Sequence, residues 1–408
     1  RYPYFRTSGS PSGSAGRGTI EMQAGIFTYA WDLEATGYDR VAGELAEAGF
    51  TSINLATAYH AGKFLMPRNP RHRVYFAEDG ALYFQPDLSK YGRIRPRVSA
   101  FVSADGDPAD RVQRAAASHG MVYVAWLVCL HNSWLGERHP HATMHTAFGD
   151  PLIHSLSPAH PDVRQYLVAL VRDLVARYEV AAVELESPGY MGFVHGYHHE
   201  ISGVDLDPVQ QRLLGISFNP VEISGATEHG IDAERLRSRI AALLDACWNR
   251  GTPVMDAGGP VAEVSALLED VEMRAYLAWQ QDQVISLMGQ VRDAIAHSSP
   301  ATQIRHFASM NAAAPDESTR ALLQTGDAIL AGYALSNDDA RAKAEAAQAL
   351  GKDTWGMIRA LAPDMTDPGQ IAPRVQAWRA AGVEGIDVYN YGLMTDLMFQ
   401  AVAAAIRS

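Results

Sequence analysis

The stretch Val180-Ala181-Ala182-Val183-Glu184-Leu185-Glu186-Ser187-Pro188-Gly189 carries the first strong expectation about the fold. It begins apolar, turns acidic and breaks at Ser-Pro-Gly. A short apolar run bounded by turn residues reads as a strand buried on both faces of a parallel sheet. Glu184 and Glu186 are two positions apart, so both side chains leave the same face of that strand. Two carboxylates at the exit of a buried strand are costly as structure and useful as chemistry.

The same kind of run recurs on both sides of this stretch. Strands are expected at 24–29, 51–56, 121–130, 180–186, 302–309, 328–334, 355–361 and 385–391. Helical patterns fall between them at 38–48, 108–119, 162–178, 233–248, 276–297, 338–350 and 368–381, with glycine as the usual stop. Eight strands alternating with helices predict an α/β fold: a single (β/α)8 TIM barrel over residues 21–408, with long loops after strands 2 and 4. Residues 1–20, rich in Ser, Gly and Arg, read as a flexible or appended arm. In the loop after strand 2, Val74-Tyr75-Phe76 and Ala81-Leu82-Tyr83-Phe84 flank Glu-Asp-Gly and predict a hairpin. Residues 187–275 form the second excursion, where barrel loops build active sites.

Composition narrows the partners. The 408 residues carry a net charge of −12, which argues against nucleic acid or an anionic membrane. No apolar run approaches the roughly 20 residues of a membrane span. A neutral small molecule such as a sugar is compatible, and self-association is left open. Cys129 and Cys247 lie in apolar segments and read as buried free thiols. No Gly-x-Gly-x-x-Gly follows the first strand and no Walker loop appears, so no cofactor is expected. No leader with an apolar core opens the chain, which makes a cytoplasmic location the expectation.

Catalytic groups of such barrels sit at the C-terminal ends of the strands. These ends offer Asp32 after Tyr29-Ala30-Trp31, then Tyr59 and His60, then His131 and Asn132, then Glu184 and Glu186. Further on come Arg305-His306, Arg359 with Asp364, and Asp387, Tyr389 and Asn390. The loop after strand 4 adds His195 and His199, four apart, in His195-Gly-Tyr-His198-His199-Glu200. Aromatic faces stack on sugar C–H faces, and Asp, Asn, His and Arg bind hydroxyls. Adjacent buried carboxylates repel, so one keeps its proton near neutral pH. That favours Glu186, nearer the mouth, as a general acid/base on a glycosidic bond. Glu184, one pleat deeper, is expected to support it or to pair with a barrel arginine such as Arg359. Asp387 faces the axis with Tyr389, as a second acid or as a salt-bridge partner. His195 and His199 with Glu186 or Asp256 would make a metal site, but no His-Glu-x-x-His pattern supports one, and no metal is expected. The run Arg68-Asn69-Pro70-Arg71-His72-Arg73 reads as a solvated loop face or a rim for an acidic sugar.

Three segments carry a resemblance: His131-Asn132-Ser133-Trp134-Leu135-Gly136, Phe148-Gly149-Asp150, and Ser157-Pro158-Ala159-His160-Pro161-Asp162-Val163-Arg164-Gln165-Tyr166. With the Glu184-Leu185-Glu186 strand end and Tyr391-Gly392-Leu393-Met394, the chain resembles glycoside hydrolases of the (β/α)8 superfamily. In particular it is similar to the hypothetical glycosyl-hydrolase families of bacteria. The resemblance spans most of residues 24–406 and implies an acid/base at the end of the fourth strand, hence Glu186. It also implies a nucleophile on the seventh strand, yet Trp355-Gly356-Met357-Ile358-Arg359-Ala360-Leu361 holds no carboxylate. The second carboxylate then falls to Glu184, Asp387, Asp32 or Asp256.

The resulting expectation is a glycosidase with Glu186, Glu184 and Asp387 as its catalytic carboxylates. Asp32, Tyr59, His60, His131, Asn132, His195, His199, Arg359, Tyr389 and Asn390 would bind the sugar. The rivals are a metal-dependent sugar isomerase or aldolase and a non-catalytic carbohydrate-binding barrel.

Overall fold

The computed structural model describes residues 22–195, 199–256, 259–308 and 317–408. The N-terminal arm, His198 and Ser309 lie outside the described residues. Eight parallel strands close into a barrel: β1 (Gln23–Thr28), β2 (Ser52–Tyr59), β3 (Val122–Val128), β4 (Ala182–Glu186), β5 (Gln303–Phe307), β6 (Ala328–Tyr333), β7 (Asp353–Arg359) and β8 (Gly385–Tyr389). β1 pairs with both β2 and β8, which closes the ring. All eight expected strands are present, each within a few residues of its expected bounds.

Helices return the chain outside the barrel after each strand. Tyr38–Glu47, Pro108–Ser118, Pro161–Arg177, Val271–Ser298, Glu317–Gln324, Asn337–Gln348, Ile371–Ala380 and Asp396–Arg407 form that outer layer. Their starts follow local chemistry. Asp107 accepts from Asp110 N, Ser336 from Asp339 N and Thr395 from Met398 N, so each caps exposed N–H groups of the helix it opens. No helix of the described residues is long and apolar enough to cross a membrane. Cys129 is buried and Cys247 half-buried, and both are free thiols.

The hairpin after β2 differs from the expectation. Val74–Ala77 pairs antiparallel with Gly62–Leu65, and Ala81–Leu82 pairs instead with the end of β2, Tyr59 opposite Ala81. Burial explains the choice. Ala81, Leu82, Tyr83 and Phe84 are all fully buried, whereas Val74 and Phe76 face solvent, so the two segments cannot share one ladder on the surface. Gly80, with φ +62°, turns the chain inward between them, and a Cβ there would meet the Asn132 side chain at 2.1 Å.

The excursion after β4 has a core of its own. Pro208–Leu214, Pro220–Glu228, Ala233–Arg250 and Ala262–Leu268 bury Leu213, Phe218, Leu236, Ile240, Leu244 and Leu267 together. The long helix Val271–Ser298 joins this core to the barrel. Met273, Tyr276 and Trp279 belong to the excursion's core, while Leu287, Met288, Val291 and Ile295 pack on the barrel. Leu213→Ala is expected to lower stability by about 2–5 kcal/mol in denaturant titration, the cost of a cavity at a site that collapses poorly. A change below about 0.5 kcal/mol would mean this core is loosely packed.

Candidate active site

The parallel register places a polar cluster in the middle of the barrel. Glu184 aligns with Trp126 on β3 and Arg305 on β5, and Asp387 aligns with Gly25 on β1. Asn54 Nδ2 donates to Glu184 at 3.1 and 3.2 Å and to Asp387 Oδ1 at 2.9 Å. Ser52 Oγ donates to Asn54 Oδ1 at 2.7 Å, which fixes the amide orientation. Gly25 makes room for the cluster, since a Cβ there would sit 2.0 Å from Asp387 Oδ1. The ion-pair partner of Glu184 is Arg305, at 3.2 Å, rather than Arg359. The Arg305 guanidinium carbon lies over the Trp355 ring, 3.7 Å from its centroid. Glu184 and Asp387 are both fully buried. Burial, then the neighbouring Asp387 charge, pushes the Glu184 carboxyl well up, while burial raises Asp387 to about 6 against the pull of Arg305 and Asn54.

One pleat higher, Glu186 ends β4 at the mouth and keeps some exposure. Its Oε2 accepts from Trp126 Nε1 at 2.5 Å. Burial raises its pKa, and the Trp126 donor partly offsets that. Aromatic rings surround it. Tyr29 Oη is hydrogen-bonded to Tyr59 Oη at 2.9 Å and to Tyr389 Oη at 2.6 Å. Trp126 meets Tyr59 and Phe27 edge-on at 4.9 Å, and Tyr333 stands 6.0 Å from Tyr389. Burial pushes the Tyr59, Tyr333 and Tyr389 hydroxyls up, and the Glu186 charge adds to it. Arg359 reaches the mouth from β7, over the Tyr333 ring at 4.8 Å, and is held by Asp364 through two bonds of 2.7 and 2.8 Å.

A row of imidazoles forms one side of the mouth. His60 stacks between Tyr59 (4.3 Å) and His131 (4.4 Å). His131 Nε2 is 3.0 Å from His195 Nε2, and His154 stacks on His195 at 5.4 Å. Burial lowers all four pKa values, and burial with the neighbouring rings takes His131 down to about 2. The row is therefore neutral at pH 7, with one imidazole of the His131–His195 pair donating to the other.

Other expected residues have different surroundings. Asn132 caps the helix Ser133–Arg138, accepting from Leu135 N at 2.9 Å, and donates to Gly80 O. Asp32 is buried and accepts from Asn69 Nδ2 at 3.0 Å, in the wall behind the mouth. Asn390 is buried and accepts from Gly392 N at 3.1 Å. His199 is exposed and is not brought to the imidazole row among the described residues. His306 turns away from the axis to Thr325 Oγ1, 2.8 Å away. Arg68, from the basic run, pairs with Glu44 and Asp396. Three contributors escaped the sequence reading: Asn54, Trp126 and His154. Asn54 had a visible signal, a polar residue two after Ser52 inside an apolar strand.

No protein-family model and no curated protein sequence matches the chain. Solved structures do match. Alpha-L-fucosidase isoenzyme 2 from Paenibacillus thiaminolyticus superposes with a TM-score of 0.59 at 13% identity, over 95% of this chain and 49% of that one. A beta-galactosidase from the psychrophilic Marinomonas ef1 gives 0.57 at 12%, over 95% and 59%. The PgaB (BpsB) glycoside hydrolase domain from Bordetella bronchiseptica gives 0.56 at 13%, over 95% and 98%. The shared feature is the closed (β/α)8 barrel. The chain spans half to three-fifths of the first two proteins and nearly all of the third domain.

Asp32 gives a test of burial in the site wall. Burial pushes its carboxyl up to about 7, against the Asn69 donor and the Arg68 charge. An unfolded aspartate titrates near ~3.9, so between about pH 4 and 7 the folded chain keeps a proton that the unfolded chain releases. Stability must then fall as pH rises through that window. Asp32→Asn should remove this component, so that the variant gains on the wild type by roughly 4 kcal/mol from pH 4 to pH 7 in denaturant titrations. Parallel pH curves for the two proteins would show that Asp32 is ionised in the folded chain.

Proposed function

We propose that the chain is a glycoside hydrolase whose general acid/base is Glu186. The observation that carries this reading is the Glu186 carboxyl itself. It stands at the end of β4, at the mouth, on the Trp126 indole N–H and among tyrosine rings. The likeness of the barrel to solved glycoside hydrolases supports the same class.

The chemistry follows from the surroundings. A sugar ring entering the mouth lies against Tyr59, Tyr333, Tyr389 and Trp126, which exclude water and offer hydrogen-bond partners, while the fully buried Tyr29 braces the Tyr59 and Tyr389 hydroxyls. Burial keeps Glu186 protonated to higher pH than a solvated glutamate, so it can give its proton to the glycosidic oxygen as the C1–O bond breaks, and the resulting carboxylate can take a proton back from the water that adds to C1. The neutral row His60, His131 and His195 and the braced Arg359 supply donors and acceptors for hydroxyls without adding a mobile charge. Glu184 and Asp387 have no exposed surface, so their part is electrostatic. They set the field at the sugar and leave proton transfer to Glu186.

Glu186→Gln should lower kcat by about 10²–10⁴-fold on a cleaved glycoside while binding persists. Near wild-type turnover from the folded variant would sink the assignment. A panel of oligosaccharides bound without any product on long incubation would favour a binding barrel instead. Trp126→Phe removes the donor that lowers the Glu186 pKa, so the basic limb of the rate profile should move to higher pH. An unmoved limb would mean that another group sets it.

A further inference from the structure

Two short motifs meet outside the barrel mouth. His139-Pro140-His141 opens the turn Pro140–Ala142, and His160-Pro161-Asp162 opens the helix Pro161–Arg177. In each, proline takes the first helical position, where its fixed φ is favoured. His139 and His160 therefore stand at cap positions, and His141 and Asp162 at the second helical position. The two turns are tied to one another and to the excursion. Ser157 N donates to Ala142 O at 2.9 Å, Thr143 pairs with Leu156, and the buried Asn219 donates to His141 O at 2.8 Å.

This scaffold brings one ligand atom each from His141, His160 and Asp162 within 4.8 Å of one another. His160 is buried, with 7% of its surface exposed, while His141 is open to solvent, which gives the set an entry side. The His139 ring lies 5.9 Å from that of His141, outside the group of three. Competition at the site is modest. Asp162 N donates to His160 Nδ1 across a long 3.3 Å, and the exposed Arg93 stands 4.0 Å from Asp162 Oδ2.

We propose that His141, His160 and Asp162 form a binding site for a divalent transition-metal ion of the zinc type. Two imidazoles and a carboxylate suit Zn²⁺ or Co²⁺ better than Mg²⁺ or Ca²⁺, which favour all-oxygen shells. Three protein ligands leave a position for water. The ion would clamp the loop after β3, which carries His131 and His154, onto the helix Pro161–Arg177. It would thus stiffen the imidazole side of the mouth from a distance.

The test is a titration of the chelator-stripped 408-residue chain with Co²⁺, read by its visible absorption. One saturable equivalent is expected. His141→Ala and Asp162→Asn should each weaken it about tenfold or more, with the circular dichroism of the fold unchanged. His131→Ala is the control, because His131 and His195 are the rival imidazole pair, and it should leave binding intact. Zn²⁺ should raise the Tm of the wild type and not that of Asp162→Asn. Absence of saturable binding, or binding lost in His131→Ala and retained in His141→Ala, overturns the proposal.

Discussion

The barrel is organised around a shortage of positive charge at its centre. Two carboxylates, Glu184 and Asp387, are sealed in the interior with one guanidinium, that of Arg305, paired to Glu184. Burying two like charges with one counter-charge costs several kcal/mol unless one of them keeps a proton. Burial accordingly pushes both acids upward. The Asn54 amide, oriented by Ser52, donates to both carboxyls and so holds the pair whichever one carries the proton. Gly25 is required beside them because any side chain would occupy the space of Asp387. The packing of Arg305 over the Trp355 ring follows from the same need to keep a guanidinium in a dry interior.

This arrangement divides β4 into two levels with different chemistry. Glu184 is spent on the interior cluster. Glu186, two residues on, meets a neutral indole donor instead of a cation. Without an arginine against it, burial dominates and its pKa rises. Arg359, the cation nearest in sequence logic, is already neutralised by Asp364. The mouth thus combines one carboxyl whose pKa burial raises with aromatic rings and uncharged imidazoles. That is a setting in which a small change of charge on a bound molecule is felt strongly.

Most of the architecture was legible in the sequence because it rests on local signals. The eight apolar runs and their glycine stops marked the strands and seven of the helices, while Glu317–Gln324, Asp396–Arg407 and the shorter helices of the excursion after β4 were not marked. The pairing of side chains across strands was less legible. Whether Glu184 meets Arg305 or Arg359 depends on barrel register: Arg305 lies level with Glu184, whereas Arg359 ends its strand level with Tyr389, at the mouth. Trp126 reads as one more apolar residue in its strand, and its role appears only when β3 lies beside β4. The hairpin after β2 was misread because Glu-Asp-Gly marks a turn correctly but does not say what each flank pairs with. Asn132 resembled a site residue by position, yet its chemistry is that of a helix cap.

The imidazole side of the mouth shows why strand ends alone do not define this site. His131 and His154 sit on the loop after β3, and His195 on the excursion after β4. Their contact requires those two excursions to be held together. Glu222 does this from the second core, accepting from Ser157 Oγ at 2.5 Å, while Asn219 binds the carbonyls of His141 and Thr143. Gln280, on the long helix that joins the two cores, donates to Ser217 O at 2.8 Å and locks the same junction from behind. A buried carboxylate at this joint is tolerated because neighbouring donors satisfy it, and burial raises its pKa. The geometry of the His131–His195 pair is therefore inherited from a polar joint outside the barrel, so packing changes in the excursion should reach the mouth through that joint before they reach the strands.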